Sequence, residues 1–280
     1  MLVHLCGTRG SVPAPGPEFV RYGGNTSCVA ITADGADGPS LILDAGTGLR
    51  SVSGLLHGRP FRGTILLSHL HWDHVHGLPF FAAGDTPQAQ VRVVLPGQGG
   101  GLTAEAVLEQ DMSPPHFPIT PAQLRGSWTF ESAEPGPLAA GCFRVLAREI
   151  PHKGGRTFGY RVSDGRTTLA YLPDHDPVSL GPGPDGWGAY HRAALELADG
   201  ADVLVHDAFL LADELAGAPP FGHAAAEYAL GLAQAARARR VVLFHHRPDR
   251  TDAQLDKVAA GFAMAPVPVT VGADGETLRL

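Results

Sequence analysis

Apolar residues in this chain fall into short runs of roughly four to eight, divided by Gly, Pro and polar turns, which is the pattern of buried strands. Strands are predicted over 2–6, 28–32, 41–44, 64–68, 91–95 and 143–150. They continue over 157–163, 167–172, 203–206, 241–245, 269–272 and 276–280. Helical spacing fits 103–110, 121–124, 187–198, 223–238 and 252–260. The last has Thr251 as its cap, with Gln254 completing a capping box. A long series of strands with helices interspersed implies a layered α/β architecture. No short internal repeat is present, which excludes a solenoid.

The stretch 97–141 breaks this rhythm with Gly99-Gly100-Gly101, Pro114-Pro115 and Glu134-Pro135-Gly136-Pro137. It reads as a loop-rich insertion in a single domain spanning 1–280, either covering a site or making a passive surface excursion. His116 within it reads as a surface histidine or a substrate contact, and the loop 177–186 as a rim of the same cleft.

Composition narrows the function classes. A hydrophobic content of 44% and a charged content of 18% describe an ordinary globular protein. No apolar run approaches the ~20 residues that cross a bilayer. The N-terminus enters a strand pattern at once, so a cytoplasmic location and no membrane association are expected. Cys6, Cys28 and Cys142 are isolated and read as small buried apolar residues. A net charge of -7 disfavours an extended nucleic-acid partner and suits a small-molecule substrate. A homodimer is compatible with everything in the sequence.

Chemistry concentrates in Ser68-His69-Leu70-His71-Trp72-Asp73-His74, directly after the apolar run Thr64-Ile65-Leu66-Leu67. Three imidazoles and a carboxylate leaving the end of a buried strand can converge on one point, as a metal site requires. Unpaired imidazoles beside a buried strand must otherwise find hydrogen-bond partners, which disfavours a chance cluster.

The hexapeptide resembles the His-x-His-x-Asp-His signature of the metallo-β-lactamase superfamily. Gly7-Thr8-Arg9-Gly10-Ser11 and Tyr22-Gly23-Gly24-Asn25-Thr26-Ser27 resemble the opening of its phosphodiesterase-like and transfer-RNA 3′-processing branches. The resemblance implies a four-layer αββα sandwich with the metal site at the edge of two packed mixed sheets. It implies His69, His71 and His152 at one metal, Asp73, His74 and His245 at the other, and Asp174 shared between them. The neighbouring His246 is an alternative to His245. Asp44 would orient the metal ligands, with His76 as a further donor, and His175 would face the cleft. Val205-His206-Asp207-Ala208 resembles the segment whose acidic residue pairs with a later histidine, here His223. The alternative is that His223 caps its helix and His206 fills the core. Asp73, Asp207 and His223 are the expected catalytic residues. His4, His57 and His191 read as ordinary surface or core histidines.

Two divalent cations would lower the pKa of a shared water, so the expected nucleophile is a hydroxide bridging the metals, with zinc the first expectation and manganese or iron the others. His223 would supply the proton that a leaving alkoxide needs. Lys153 and Arg156 could meet a phosphate or remain solvated turn charges. The implied function is a phosphodiesterase acting on a small phosphodiester such as a cyclic nucleotide. Alternatives are a thioester or other ester or amide hydrolase of the same fold, an iron-binding redox or cofactor-biosynthesis protein, or a metal-stabilised binding protein without turnover.

Overall fold

Leu41, Ile42 and Leu43 are all fully buried, yet they serve two different cores. Side chains of a strand alternate between faces, so Leu41 and Leu43 enter one apolar cluster while Ile42 enters another. A strand apolar on both sides needs cover on both sides, and the architecture follows from that need.

The computed structural model describes residues 1–218 and 221–280. The strands are β1 (Leu2–Gly7), β2 (Cys28–Thr32), β3 (Leu41–Leu43), β4 (Arg62–Leu66), β5 (Gln90–Pro96), β6 (Ser127–Ala133) and β7 (Gly136–Ala140). The second half adds β8 (Phe143–Ile150), β9 (Thr157–Ser163), β10 (Thr168–Leu172), β11 (Val203–Asp207), β12 (Val241–Phe244), β13 (Val269–Val271) and β14 (Thr277–Arg279). The helices are α1 (Leu49–Leu55), α2 (Trp72–Val75), α3 (Ala104–Glu109), α4 (Arg192–Ala198), α5 (Ala226–Ala235) and α6 (Asp252–Gly261).

Two seven-stranded mixed sheets result, ordered β14-β1-β2-β3-β4-β5-β6 and β13-β12-β11-β10-β9-β8-β7. In the first, β3 to β6 run parallel; in the second, β10 to β13 do. Val3, Leu5, Leu66, Phe158, Tyr160, Val205 and Phe244 belong to the core between the sheets. The outer face of the first sheet packs on α1 through Leu49 and Val52, and that of the second on α4 and α5 through Leu197, Tyr228 and Leu232. This is the αββα sandwich.

The stretch 97–141 is less irregular than its composition suggests. It carries α3 and the edge strands β6 and β7, one on each sheet. Alternation in Ser127-Trp128-Thr129-Phe130 is the signal for β6, diluted because an edge strand tolerates polar residues on its open side. The helix expected over 187–198 begins only at Arg192, after Gly186 and Gly188, which both take positive φ. Cys6 and Cys28 are buried as expected, but Cys142 is exposed in the turn after β7.

In open α/β sheets, ligands gather beyond the carboxyl ends of parallel strands. Among the parallel strands here, β3, β4, β10 and β12 are each followed within a few residues by a chemically capable side chain, and β11 ends on Asp207.

Candidate metal centre

The loop after β4 delivers His69 and His71, and the first turn of α2 delivers Asp73 and His74. His152 follows β8, Asp174 follows β10, and His245 follows β12. These seven side chains, distant in sequence, converge. His69, His71, His152 and Asp174 each offer one ligand atom within 4.8 Å of the others, as do Asp73, His74 and His245.

Asp174 stands between the two groups and divides its oxygens between them. Its Oδ1 lies 3.0 Å from His74 Nε2 and 3.2 Å from His245 Nε2. Its Oδ2 lies 3.4 Å from His152 Nε2 and 3.8 Å from His69 Nε2. His71 enters by its other nitrogen, Nδ1, 3.3 Å from His152 Nε2.

The imidazoles are held in orientation from behind. Asp44, buried at the end of β3 with φ of 60°, accepts from Ser68 N (2.6 Å), Ser68 Oγ (2.8 Å), Tyr171 OH (2.8 Å) and His74 Nδ1 (2.8 Å). Ser68 Oγ in turn lies 3.0 Å from His69 Nδ1, so His69 and His74 both present Nε2 to the centre. His152 Nδ1 donates to the Gly222 carbonyl at 2.6 Å, with the same result. Such outer partners set tautomer and direction.

The donor set suits cations. Among the described residues, His69 Nε2 and Asp174 Oδ1 are buried without a hydrogen-bond partner, an expensive state unless a cation sits against each. Among the described residues, the ion pairs of Asp44, Asp73 and Asp174 involve only histidines, with no Lys or Arg to balance the charge. Burial pushes His69 and His152 toward the neutral form that a ligand imidazole must have. Despite burial, His74 is pushed well up by Asp174, Asp73 and Asp44. Asp73 and Asp174 are held well below the usual carboxylate range, against burial, by His74 and His245. The carboxylates demand positive charge, and bound cations would meet that demand.

Of the paired histidines after β12, His245 turns into the centre, 3.0 Å from Asp73 Oδ2. His246 turns away, its Nε2 bonded to the Gly272 carbonyl at 2.9 Å. His223 joins the centre's edge: its Nδ1 donates to Asp207 Oδ2 at 3.0 Å, and its ring stacks on Phe209 at 4.2 Å between centroids. Asp207, fully buried, also accepts from the backbone N–H groups of His175, Phe209 and Ala224. Burial disfavours the His223 imidazolium, but Asp207 outweighs it and pushes the pKa up to about 9.

Other expectations need correction. His175 does not face the cleft: it is fully buried, its Nδ1 2.9 Å from His206 Nε2 and its Nε2 2.8 Å from His191. His76 is exposed and stacks on Trp72, away from the ligands. The wall expected from 177–186 is built instead by Ser11, Lys153, Gly154 and Phe221 around a cavity of about 530 Å³. Lys153 lines this cavity, whereas Arg156 is taken up by Glu134 and Glu149.

Sequence reasoning missed two contributors. Ser11, at φ 65°, donates its backbone N–H to Asp73 Oδ2 at 2.7 Å. Beside it, a Cβ on Gly10 would lie 2.5 Å from His245 Cε1 and Nδ1, so only glycine admits the ring. Ser11, Asp44 and His245 all have positive φ, which L-residues rarely adopt. Strain of this kind collects where function over-determines the backbone.

Residues 41–246 match the family model described as Beta-lactamase superfamily domain. Ribonuclease Z of Bacillus cereus (strain AH820) is 27% identical over 286 residues, covering 85% of this chain and 86% of that protein. The metallo-β-lactamase fold protein YhfI from Bacillus subtilis superposes with a TM-score of 0.70 at 19% identity, over 99% of each chain. A diphosphatase from the PhnP family superposes with a TM-score of 0.68 at 16% identity, over 100% of this chain and 97% of the other.

Proposed function

The chain belongs to the metallo-β-lactamase superfamily of metal-dependent hydrolases, and on that premise we propose that it cleaves a small phosphodiester, such as a cyclic nucleotide, at a centre of two divalent cations. His69, His71 and His152 would hold one cation, Asp73, His74 and His245 the other, with Asp174 between them. Imidazole and carboxylate donors suit zinc first, with manganese or iron as alternatives. When bound, the pair supplies an activated water and neutralises phosphoryl charge.

The observation that carries the reading is the Asp207–His223 pair at the edge of the centre. Hydrolysis of an alkyl phosphodiester expels an alkoxide, which is a poor leaving group until protonated. Asp207 accepts from Nδ1 of His223, and among the described residues no hydrogen bond engages Nε2, the proposed donor atom. Asp207 charge also favours the imidazolium near neutral pH. Lys153 at the cavity wall offers a positive partner for a phosphate oxygen. Ser11 N–H fixes Asp73, and Asp44 fixes His74.

Further support comes from relatives named a ribonuclease and a diphosphatase, both of which by those names act on phosphate linkages. RNA is therefore the second reading, favoured by the ribonuclease Z likeness along most of the chain. A net charge of -7 favours the small substrate. The test is a panel of bis-p-nitrophenyl phosphate, cyclic nucleotides, RNA, thioesters and β-lactams, with metal analysis on the same sample. The reading expects about two metals per chain and diesters at the head of the ranking. Thioesters or β-lactams at the head, or full turnover after metal stripping, would overturn it.

A further inference from the structure

A second cavity of about 430 Å³ adjoins the metal centre, a volume within the ~300–1,000 Å³ of small-molecule sites. Leu70 and Trp72 line both cavities and so form the wall they share. Its floor is apolar, with Val75, Leu78, Leu108 and Met112 all buried. Its sides are aromatic: Trp72 stacks on His76 with centroids 5.5 Å apart, and Phe80 meets Phe117 edge-on at 5.9 Å. Trp72 and Phe80 are 63% and 60% exposed, which is unusual for such side chains without a partner. The polar side chains at its border are His76, Gln110, Asp111 and His116.

We infer that this cavity is a substrate subsite that takes a flat heteroaromatic ring, such as a nucleobase, attached to the phosphodiester held at the metal centre. The inference rests on the phosphodiesterase reading and names its substrate class. Because Leu70 and Trp72 border both cavities, a group seated in this one lies beside a phosphate held in the next. The aromatic sides offer faces and edges for stacking, which is tolerant of base identity. The edge of a heteroaromatic ring offers donors and acceptors to the exposed Gln110, Asp111 and His116, which a purely aliphatic group does not. Half of the cavity comes from α2 and the turn after it, and half from α3 and the segment that follows. On this reading the stretch 97–141 shapes specificity, with the exposed His116 at the cavity wall.

Equilibrium binding of adenosine 5′-monophosphate and ribose 5-phosphate to the metal-loaded protein tests this, because the second carries a hydroxyl where the first carries the base. Calorimetry should find the base-bearing ligand tighter by about tenfold or more. Phe117→Ala, which removes a side, and Met112→Trp, which fills the floor, should each cut that advantage to under about threefold while ribose 5-phosphate binds as before. Unchanged ribose 5-phosphate binding also shows that the variants are folded. Equal binding of the two ligands, binding of neither, or an advantage that survives both substitutions would overturn the subsite. Hydrolysis is read separately: a base advantage without diester cleavage defeats only the proposed activity, and cleavage without a base advantage defeats only the subsite.

Discussion

Asp44 Oδ2 lies 2.8 Å from His74 Nδ1, and both residues are fully buried. That contact decides which nitrogen of His74 faces the metal centre. An amide in place of the carboxylate keeps the size but loses the charge that favours an Nδ1 proton. Asp44→Asn is therefore expected to weaken metal affinity by about 10–100-fold, measured by competition with a chromophoric chelator. Asp44→Ala should do more, because it strands the donors of Ser68, Tyr171 and His74 together. A stability loss of at least about 3 kcal/mol in denaturant is expected for it.

Asp174 gives one oxygen to each histidine group. Its loss should therefore affect both candidate seats, whereas loss of Asp73 should affect chiefly the group containing His74 and His245. Plasma emission analysis after dialysis should find metal content well below about one per chain in Asp174→Ala, and near one in Asp73→Ala. Equal retention in the two variants would contradict a shared carboxylate.

The proton-donor role of His223 predicts a dependence on leaving group. Replacing His223 with Ala should slow hydrolysis of an alkyl phosphodiester by about 10²–10⁴-fold. A p-nitrophenolate departs without protonation, so bis-p-nitrophenyl phosphate should lose far less. A metal-binding role for His223 would instead slow both substrates alike and lower metal content. Steady-state kinetics on the two substrates separates these outcomes.

The local parts of this centre were legible because their information is local. Four of the seven side chains sit within six residues after one apolar run, and His152, Asp174 and His245 each follow a strand that its own apolar pattern reveals. The two-sided burial of β3 and β4 was likewise visible in Leu41-Ile42-Leu43 and Ile65-Leu66-Leu67. What escaped depends on chain segments meeting across the fold. Nothing near Asp73 announces that Ser11 will donate to it, nor does anything near His152 announce the Gly222 carbonyl. His76 was misread because proximity in sequence does not fix direction: it stands one turn after the exposed Trp72 and stacks on that ring instead of on a ligand. His175 was misread for the same reason, since successive residues after a strand point to opposite faces.

Gly10 offers a test of close approach without touching a ligand. An alanine Cβ there would stand 2.5 Å from the His245 ring, whose Nε2 faces Asp73 and Asp174. Either the ring or the 7–11 segment must move, and that segment carries Ser11, which holds Asp73. Gly10→Ala should cost about 1–3 kcal/mol in stability. It should also weaken a cation held by Asp73, His74 and His245 more than one held by His69, His71 and His152, visible as two separated steps in a metal titration where the wild type should show them closer together.

Three histidines behind the centre predict an acid-sensitive stability. His206 Nδ1 donates to the Asp207 carbonyl at 2.7 Å, leaving Nε2 to accept from His175 Nδ1. His175 Nε2 then accepts from His191 Nε2 at 2.8 Å. Every imidazole in this row is neutral, and an added proton on any of them would set a donor against a donor. Burial, and next the nearness of His206, pushes the half-buried His191 down to about 4. A histidine whose folded pKa lies below its unfolded value of ~6.5 leaves the unfolded chain binding more protons between those limits. Stability should therefore rise with pH from about 4 to 6.5, and the His191 contribution to that slope should be flat above it. His191→Gln can still donate to His175 but cannot titrate. Its stability relative to the wild type should improve steadily as pH falls from about 6.5 to 4, read from urea midpoints at each pH. Parallel curves for the two proteins across that window would mean that His191 titrates as freely in the folded protein as in the unfolded chain.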